Sequence, residues 1–194
     1  MKYALPFSPP LLPNFCEFIT YDGFMPHEAD QIRNIWDDEA GEKATLSGDE
    51  KHNQELRKSS VMFLEPSDKT QWIYERITGL ASSCNAERYG FEIQGFLQEL
   101  QLTNYDGGEF FDWHMDFHAG EISHRKLSVT VQLSDEDSYE GGDLQFMINN
   151  RIENAPRKKG TVIVFPSFIL HRVTEVTKGK RNSIVGWLSG PPFR

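Results

Sequence analysis

After residue 90 the chain breaks into short runs of β-forming residues separated by turn signals, and this texture constrains the fold more than any other feature. The runs are "LQLTNY", "FFDWHMDF", "KLSVTVQLS", "DLQFMI", "TVIVFPS", "HRVTEV" and "RNSIVGWLS". In "KLSVTVQLS" the alternation is strict, so Leu127, Val129, Val131 and Leu133 share one face of a strand. Many short strands at this spacing argue for a sandwich or a jelly roll. Two helices come first. Residues 26–38 carry Pro26 in a first turn, with Ala29, Ile32, Ile35 and Trp36 on one face. A second helix is expected to begin near Ser67, a good N-cap, with Ile73, Ile77, Leu80, Ala81 and Cys84 as its apolar face. "SSVMFLE" reads as a strand between them. Helices that precede the strands buttress one outer sheet. The expected class is α+β: a double-stranded β-helix (jelly roll) core with buttressing N-terminal helices. The expected organisation is one domain over 1–194. Residues 1–95 form an arm, the helices and supporting strands, and 96–194 form the jelly-roll core that carries the site.

Composition narrows the setting. With 38 % apolar residues over 194, the chain can bury a sizeable core. No run of 18 or more apolar residues exists, so no membrane span is expected. "MKYALPFSPPLLPNF" has neither a secretory apolar core nor a small-residue cleavage site, and residues 1–13, with four of the ten prolines, read as an extended arm. Two cysteines, Cys16 and Cys84, make no disulfide framework, and a cytoplasmic, reducing setting is expected. The net charge of −9, with a pI near 5.1, argues against a nucleic-acid partner. Residues 39–56 are polar, contain two glycines and read as a loop.

The chemistry concentrates in "FFDWHMDFH". Side chains two apart on a strand project to the same face, so His114 and Asp116 are expected side by side. They are either a hydrogen-bonded polar pair or two parts of a metal site. His171 follows an apolar strand and a Pro-Ser turn, at a strand margin where a jelly roll opens. Two histidines and one carboxylate on one octahedral face leave three positions free, the arrangement of non-haem Fe(II) oxygenases. Zinc prefers a tetrahedral set. Arg181 lies ten residues beyond His171 and would offer a planar fork to a carboxylate. In a simple hairpin turning at Thr177–Lys180, Arg181 would sit roughly 16 Å along the strand from His171, too far for a five-carbon diacid. A crossing to the opposite sheet would let both face one interior.

"YDGGEFFDWHMDF", "RKLSVTVQLSD", "YEGGDLQF", "KGTVIVFPSFILHRVTEVTKGKR" and "SIVGWL" together resemble the Fe(II)/2-oxoglutarate-dependent dioxygenases of the prolyl 4-hydroxylase-like branch, with the bacterial PKHD-type hydroxylases nearest. The resemblance covers about residues 57–190. It implies that His114, Asp116 and His171 hold iron and that Arg181 binds the distal carboxylate of 2-oxoglutarate. Many prolyl hydroxylases carry lysine where Arg181 stands. Tyr105 matches a tyrosine that helps hold 2-oxoglutarate, and Gln132 falls on a cavity-lining strand. Trp187 matches a tryptophan near the metal, whose plain role is core packing. His118 and His124 match no ligand position, although His118 would share the ligand face if the strand ran on past Asp116. Gly141 and Gly142 are expected to permit a turn or bulge.

The implied cofactors are Fe(II), 2-oxoglutarate as cosubstrate and O2, with ascorbate as reductant. The implied activity is a hydroxylase of a prolyl residue in a peptide or protein. A hydroxylase of a free amino acid or other small molecule is the alternative. A metal- or ligand-binding jelly roll without turnover is a second, and a zinc hydrolase a third. Residues 39–60 are a candidate lid over the substrate, with Arg57 and Lys58 at its edge. The oligomeric state is not legible.

Overall fold

The computed structural model describes residues 17–36, 42–43 and 55–193. In chain order the first elements are β1 (Ile19–Asp22), α1 (Pro26–Arg33), β2 (Glu42–Lys43), β3 (Arg57–Lys58), β4 (Ser60–Leu64) and α2 (Gln71–Cys84). There follow β5 (Gly95–Phe96), β6 (Leu100–Tyr105), β7 (Phe110–His114), β8 (Arg125–Gln132), β9 (Tyr139–Gly141) and β10 (Leu144–Ile148). The last are β11 (Arg151–Asn154), β12 (Thr161–Pro166), β13 (His171–Val173), β14 (Val176–Gly179) and β15 (Arg181–Ser189). Among the described residues no helix is long and apolar enough to cross a membrane.

The strands form two facing sheets and a ribbon. The major sheet runs β1-β12-β8-β15-β6-β4-β2, with β5 added at the end of β15. The minor sheet runs β11-β10-β13-β7-β3, and β14 pairs with β9. Pairing is antiparallel throughout. This is the expected double-stranded β-helix.

Strand alternation explains the layering. Leu127, Val129, Val131 and Leu133 turn outward from the jelly roll and meet Ala29 and Ile32 of α1 and Ile73, Ile77, Ala81 and Cys84 of α2 in one buried cluster. Burying each such aliphatic side chain contributes about 1.5–3 kcal/mol. The intervening residues of β8, Ser128, Thr130 and Gln132, point the other way, between the sheets. There a second cluster gathers Tyr105, Phe146, Ile163, Phe165, Val173 and Val176. The helices thus buttress the major sheet, and its inner face is left for polar groups.

Local readings of the helices need two corrections. α1 ends at Arg33, short of residue 38: Ile35 and Trp36 continue as tight turns onto the carbonyls of Ile32 and Arg33, and 37–38 lie outside the described residues. α2 starts at Gln71 behind Thr70 rather than near Ser67. The Thr70 hydroxyl donates to the Glu65 carbonyl at 2.6 Å and accepts from the Ser67 amide at 3.0 Å, so Ser67–Thr70 closes as a separate turn first.

The path after His171 decides the geometry of the site. β13 lies in the minor sheet, β14 leaves to pair with β9, and β15 enters the centre of the major sheet. The chain therefore crosses between sheets, and the simple hairpin is not formed. Two glycines let the β9–β14 ribbon close over this crossing. Gly141 and Gly142 have φ of 70° and 64°, and a Cβ on Gly141 would lie 2.0 Å from the Glu175 carbonyl oxygen.

Because Ile77 is fully buried between α2 and β8, Ile77→Ala should cost about 2–5 kcal/mol of stability, read by chemical denaturation.

Candidate active site

His114 ends β7, and a β-bulge aims it. Across the β7–β13 pair, His171 stands opposite His114 and Val173 opposite Phe111, so Asp112 and Trp113 together face Arg172 alone. The extra residue breaks the two-residue period and turns Phe111 and His114 to the same side. Their rings stack with centroids 3.4 Å apart and planes 8° from parallel. The bulge also supplies a carbonyl: His114 Nδ1 lies 2.7 Å from the Asp112 oxygen. His171 Nδ1 is likewise 2.8 Å from the Ile169 oxygen. A carbonyl only accepts, so both Nδ1 atoms carry a proton and both Nε2 atoms are left to face the cleft.

Those two nitrogens face Asp116. His114 Nε2 is 3.7 Å from Asp116 Oδ1, and His171 Nε2 is 3.5 Å from Oδ2. One donor atom from each of the three residues falls within 4.8 Å of the others. Asp116 does not reach this position by strand alternation. The strand stops at His114, and Asp116 sits in the following bend, its amide bonded to the Ser167 carbonyl at 2.9 Å. Its carboxylate is fixed from below by Ser128, whose hydroxyl donates to Oδ2 at 2.6 Å and lies 3.0 Å from Ser167 Oγ. The end of the strand also removes His118 from the ligand face. His118 is exposed and lies against the Ala119 carbonyl, while His124 Nδ1 lies 3.3 Å from the Gly190 carbonyl.

The electrostatics favour cation binding. Burial, with the neighbouring His171 next, pushes His114 from 6.5 down to about 3, so its imidazole is neutral near pH 7. Burial alone would raise Asp116, but the adjacent His171 and His114 and the Ser128 hydroxyl hold it below the usual carboxylate value. Two imidazoles and one carboxylate, each oriented by a second hydrogen bond, fit a divalent ion bound on one face.

The far end of the cleft is cationic. Arg181, at the start of β15, is 1 % exposed, directly across from Tyr105 in the sheet, with its guanidinium 5.5 Å from that ring. Nη2 donates to Gln132 Oε1 at 2.9 Å and Nη1 to Ser183 Oγ at 3.3 Å, while Nε has no partner among the described residues. No carboxylate among the described residues neutralises it. A buried charge without a counter-ion is costly, and a diacid entering from the metal end would supply one.

The other expected residues divide. Tyr105, Trp187 and Arg57 line the cleft with His114, Asp116, His171 and Arg181, around about 430 Å³ including the open mouth. Gln132 does not line it: its oxygen accepts from Arg181 and its amide donates to the Pro156 carbonyl at 3.0 Å. Trp187 is 8 % exposed and its indole Nε1 has no partner among the described residues. The core of the candidate lid, 44–54, lies outside the described residues. Sequence reasoning missed Ser128, Phe111 and Arg125. Ser128 alone left a signal, as a polar residue on the face opposite Leu127 and Val129.

The family model described as the 2OG-Fe(II) oxygenase superfamily matches residues 100–189, which contain the three clustered donors and Arg181. Over these residues the chain is similar to that superfamily. A PKHD-type hydroxylase of Synechococcus is 37 % identical over 99 residues, covering 50 % of this chain but only 45 % of that protein. A PKHD-type hydroxylase of Prochlorococcus marinus is 27 % identical over 179 residues, 89 % of this chain and 77 % of that one. Among solved structures, a Pseudomonas putida prolyl-4-hydroxylase superposes with a TM-score of 0.71 at 19 % identity, over 90 % of this chain and 92 % of that one. A Trichoplax adhaerens prolyl hydroxylase, in complex with a hypoxia inducible factor peptide fragment, gives 0.74 at 18 % identity, over 91 % and 84 %. Together these matches support a 2OG-Fe(II) oxygenase of the PKHD-type, prolyl 4-hydroxylase-like branch. The family is defined by Fe(II), 2-oxoglutarate and O2, and the His-Asp-His donor set fits the iron.

Two measurements follow from the geometry. His114→Ala and Asp116→Ala should abolish binding of Fe(II), or of Mn(II) as a redox-silent probe, in titration calorimetry, while His118→Ala binds as the parent does. Ser128→Ala should keep the fold and weaken metal affinity by about 10–100-fold, because the carboxylate loses the hydroxyl that orients it.

Proposed function

We propose that this oxygenase hydroxylates a prolyl residue of a peptide or protein while 2-oxoglutarate is decarboxylated to succinate and CO2. The observation that carries the 2-oxoglutarate part is Arg181, a buried guanidinium without a counter-ion in the same cleft as the donor cluster. A zinc hydrolase or a passive metal-binding jelly roll has no use for a cation there. The prolyl part rests on the PKHD-type relatives and on structural neighbours described as prolyl hydroxylases, one of them holding a peptide.

In this reading His114, Asp116 and His171 hold Fe(II), which supplies the oxidation of a substrate C–H bond by O2. The chain's own residues bind and orient. Arg181 receives the distal carboxylate of 2-oxoglutarate in a dry setting, where charge-assisted hydrogen bonds are strong. Gln132 and Ser183 fix the guanidinium plane, so Gln132 acts on the cosubstrate through Arg181. Tyr105 forms the wall beside it, its phenol kept protonated by burial. Trp187 and Arg57 face the space left for substrate. The indole N–H, unpartnered among the described residues, is a donor for a substrate carbonyl. Ascorbate is the expected reductant for idle iron. A reducing, cytoplasmic location accords with the free, buried Cys84.

Charge-assisted hydrogen bonds contribute roughly 1.5–3 kcal/mol each, so Arg181→Ala should weaken 2-oxoglutarate binding by on the order of 10- to 1000-fold at nearly unchanged metal affinity. Arg181→Lys should be milder, since the charge survives and the fork is lost. Cosubstrate affinity and succinate formation read both. Unchanged affinity in Arg181→Ala would remove the 2-oxoglutarate reading. Mass spectrometry of proline-containing peptides and free amino acids, incubated with iron, 2-oxoglutarate and ascorbate, reads the substrate as a gain of one oxygen.

A further inference from the structure

Arg57 is a second cation in the cleft, and the assignments above give it no counter-charge. It is 9 % exposed. Two contacts hold it: β3 pairs with β7 so that Arg57 stands opposite Phe111, and Nε donates to Ser59 Oγ at 2.8 Å. The guanidinium lies 4.7 Å from the centroid of the Phe111 ring, which in turn stacks on His114. One aromatic ring thus separates this charge from a metal-cluster imidazole. Nη1 and Nη2 have no acceptor among the described residues.

Among the described residues, two carboxylates on this side of the cleft are engaged elsewhere. Asp116 is taken up by His114, His171 and Ser128. Glu109, on the chain leading into β7, accepts from the Asp106 amide at 2.8 Å. A third guanidinium stands on the other side of the cleft. Arg125 lies 3.7 Å over the Trp187 ring, bonds to the neutral amide of Gln98 and reaches the Asp116 carbonyl at 3.4 Å. It too has no carboxylate partner among the described residues.

Charge balance then points to the substrate. A divalent ion, the Asp116 carboxylate, doubly charged 2-oxoglutarate and Arg181 sum to zero. Arg57 and Arg125 remain as surplus positive charge around the space where substrate enters, in a chain whose net charge is −9. A peptide carbonyl would satisfy N–H donors but leave that charge in place. A carboxylate satisfies both and matches the planar fork of Arg57 in a bidentate pair. We propose that the substrate carries a carboxylate received by Arg57, close to the carbon that is oxidised. This rests on the dioxygenase reading and adds the charge class of its substrate. The carboxylate has two possible sources: the α-carboxylate of a free or C-terminal residue, or the side chain of an acidic residue beside the target.

The test uses the whole protein loaded with Mn(II) and 2-oxoglutarate, which binds without turning over. A panel of N-acetyl amino acids, proline included, is titrated against the corresponding primary amides. N-acetyl-Asp-Pro-amide is titrated against N-acetyl-Asn-Pro-amide, so the first comparison reads an α-carboxylate and the second a side-chain carboxylate. At least one acid should bind on the order of tenfold to a hundredfold tighter than its neutral partner. Arg57→Gln should erase that preference, and Lys58→Gln, the exposed neighbour on the same strand, should retain it. Equal affinity for acids and amides, no binding by any acid, or a preference that survives in Arg57→Gln would overturn the proposal. Succinate formation by the parent with iron and 2-oxoglutarate is read in parallel. A missing acid preference beside normal succinate formation overturns the substrate class alone, and absent succinate overturns the dioxygenase reading with it.

Discussion

The cleft depends on one cross-strand pair, His171 opposite His114 in the minor sheet. That pairing sets the distance between the two imidazoles, with ring centroids 4.2 Å apart, and everything else is arranged around it. Each ring is held by a carbonyl of its own chain two residues earlier, so neither needs a side-chain partner on its protonated nitrogen. Asp116 then has to arrive from outside the strand. Its amide reaches the Ser167 carbonyl, which ties the bend after β7 to the turn before β13. The loops bearing the three donors are therefore bonded to one another before any ligand is present, the kind of preorganisation that a metal site requires.

The two sheets divide the labour. The minor sheet carries the imidazoles, and the major sheet carries Arg181, Ser128, Trp187 and the residues that orient them. This division is possible only because β8 and β15 are apolar toward the helices and polar toward the interior. The helices take no part in the chemistry. By covering Leu127, Val129 and Val131 they let the opposite faces of the same strands hold hydroxyls, an amide and a guanidinium without losing the core. A sheet solvated on its outer face would have needed its inner face for burial.

Much of this was legible in the chain. The alternation of "KLSVTVQLS" identified a strand with one greasy face, and the apolar spacing of α2 named the residues that cover it. His114, Asp116, His171 and Arg181 were singled out by side-chain chemistry, and the structure brings them into one cleft. The reason offered for Asp116 was nevertheless wrong. Alternation from His114 to Asp116 would have required a continuous strand, but the strand ends at His114, and that end has no strong residue signature. Ser128 was hidden because a serine in an apolar run reads as filler until its face is known. Arg57 was placed at the edge of a loop, yet its burial depends on pairing with Phe111 some fifty residues away. The start of α2 was misread because a local capping rule lost to a hydrogen bond from Thr70 back to Glu65.

The bulge in β7 has a mechanical meaning as well. A regular antiparallel pair can slide by two residues and recover every hydrogen bond, with only side-chain packing to oppose the slip. A strand with one extra residue cannot, because the bulge would meet the wrong stretch of its partner. Here the bulged pair, Asp112 and Trp113, lies immediately before His114, and the Asp112 carbonyl is the one that fixes the imidazole. The bulge thus works as a detent. It lets β7 seat against β13 in a single position, and that position presents His114 to His171.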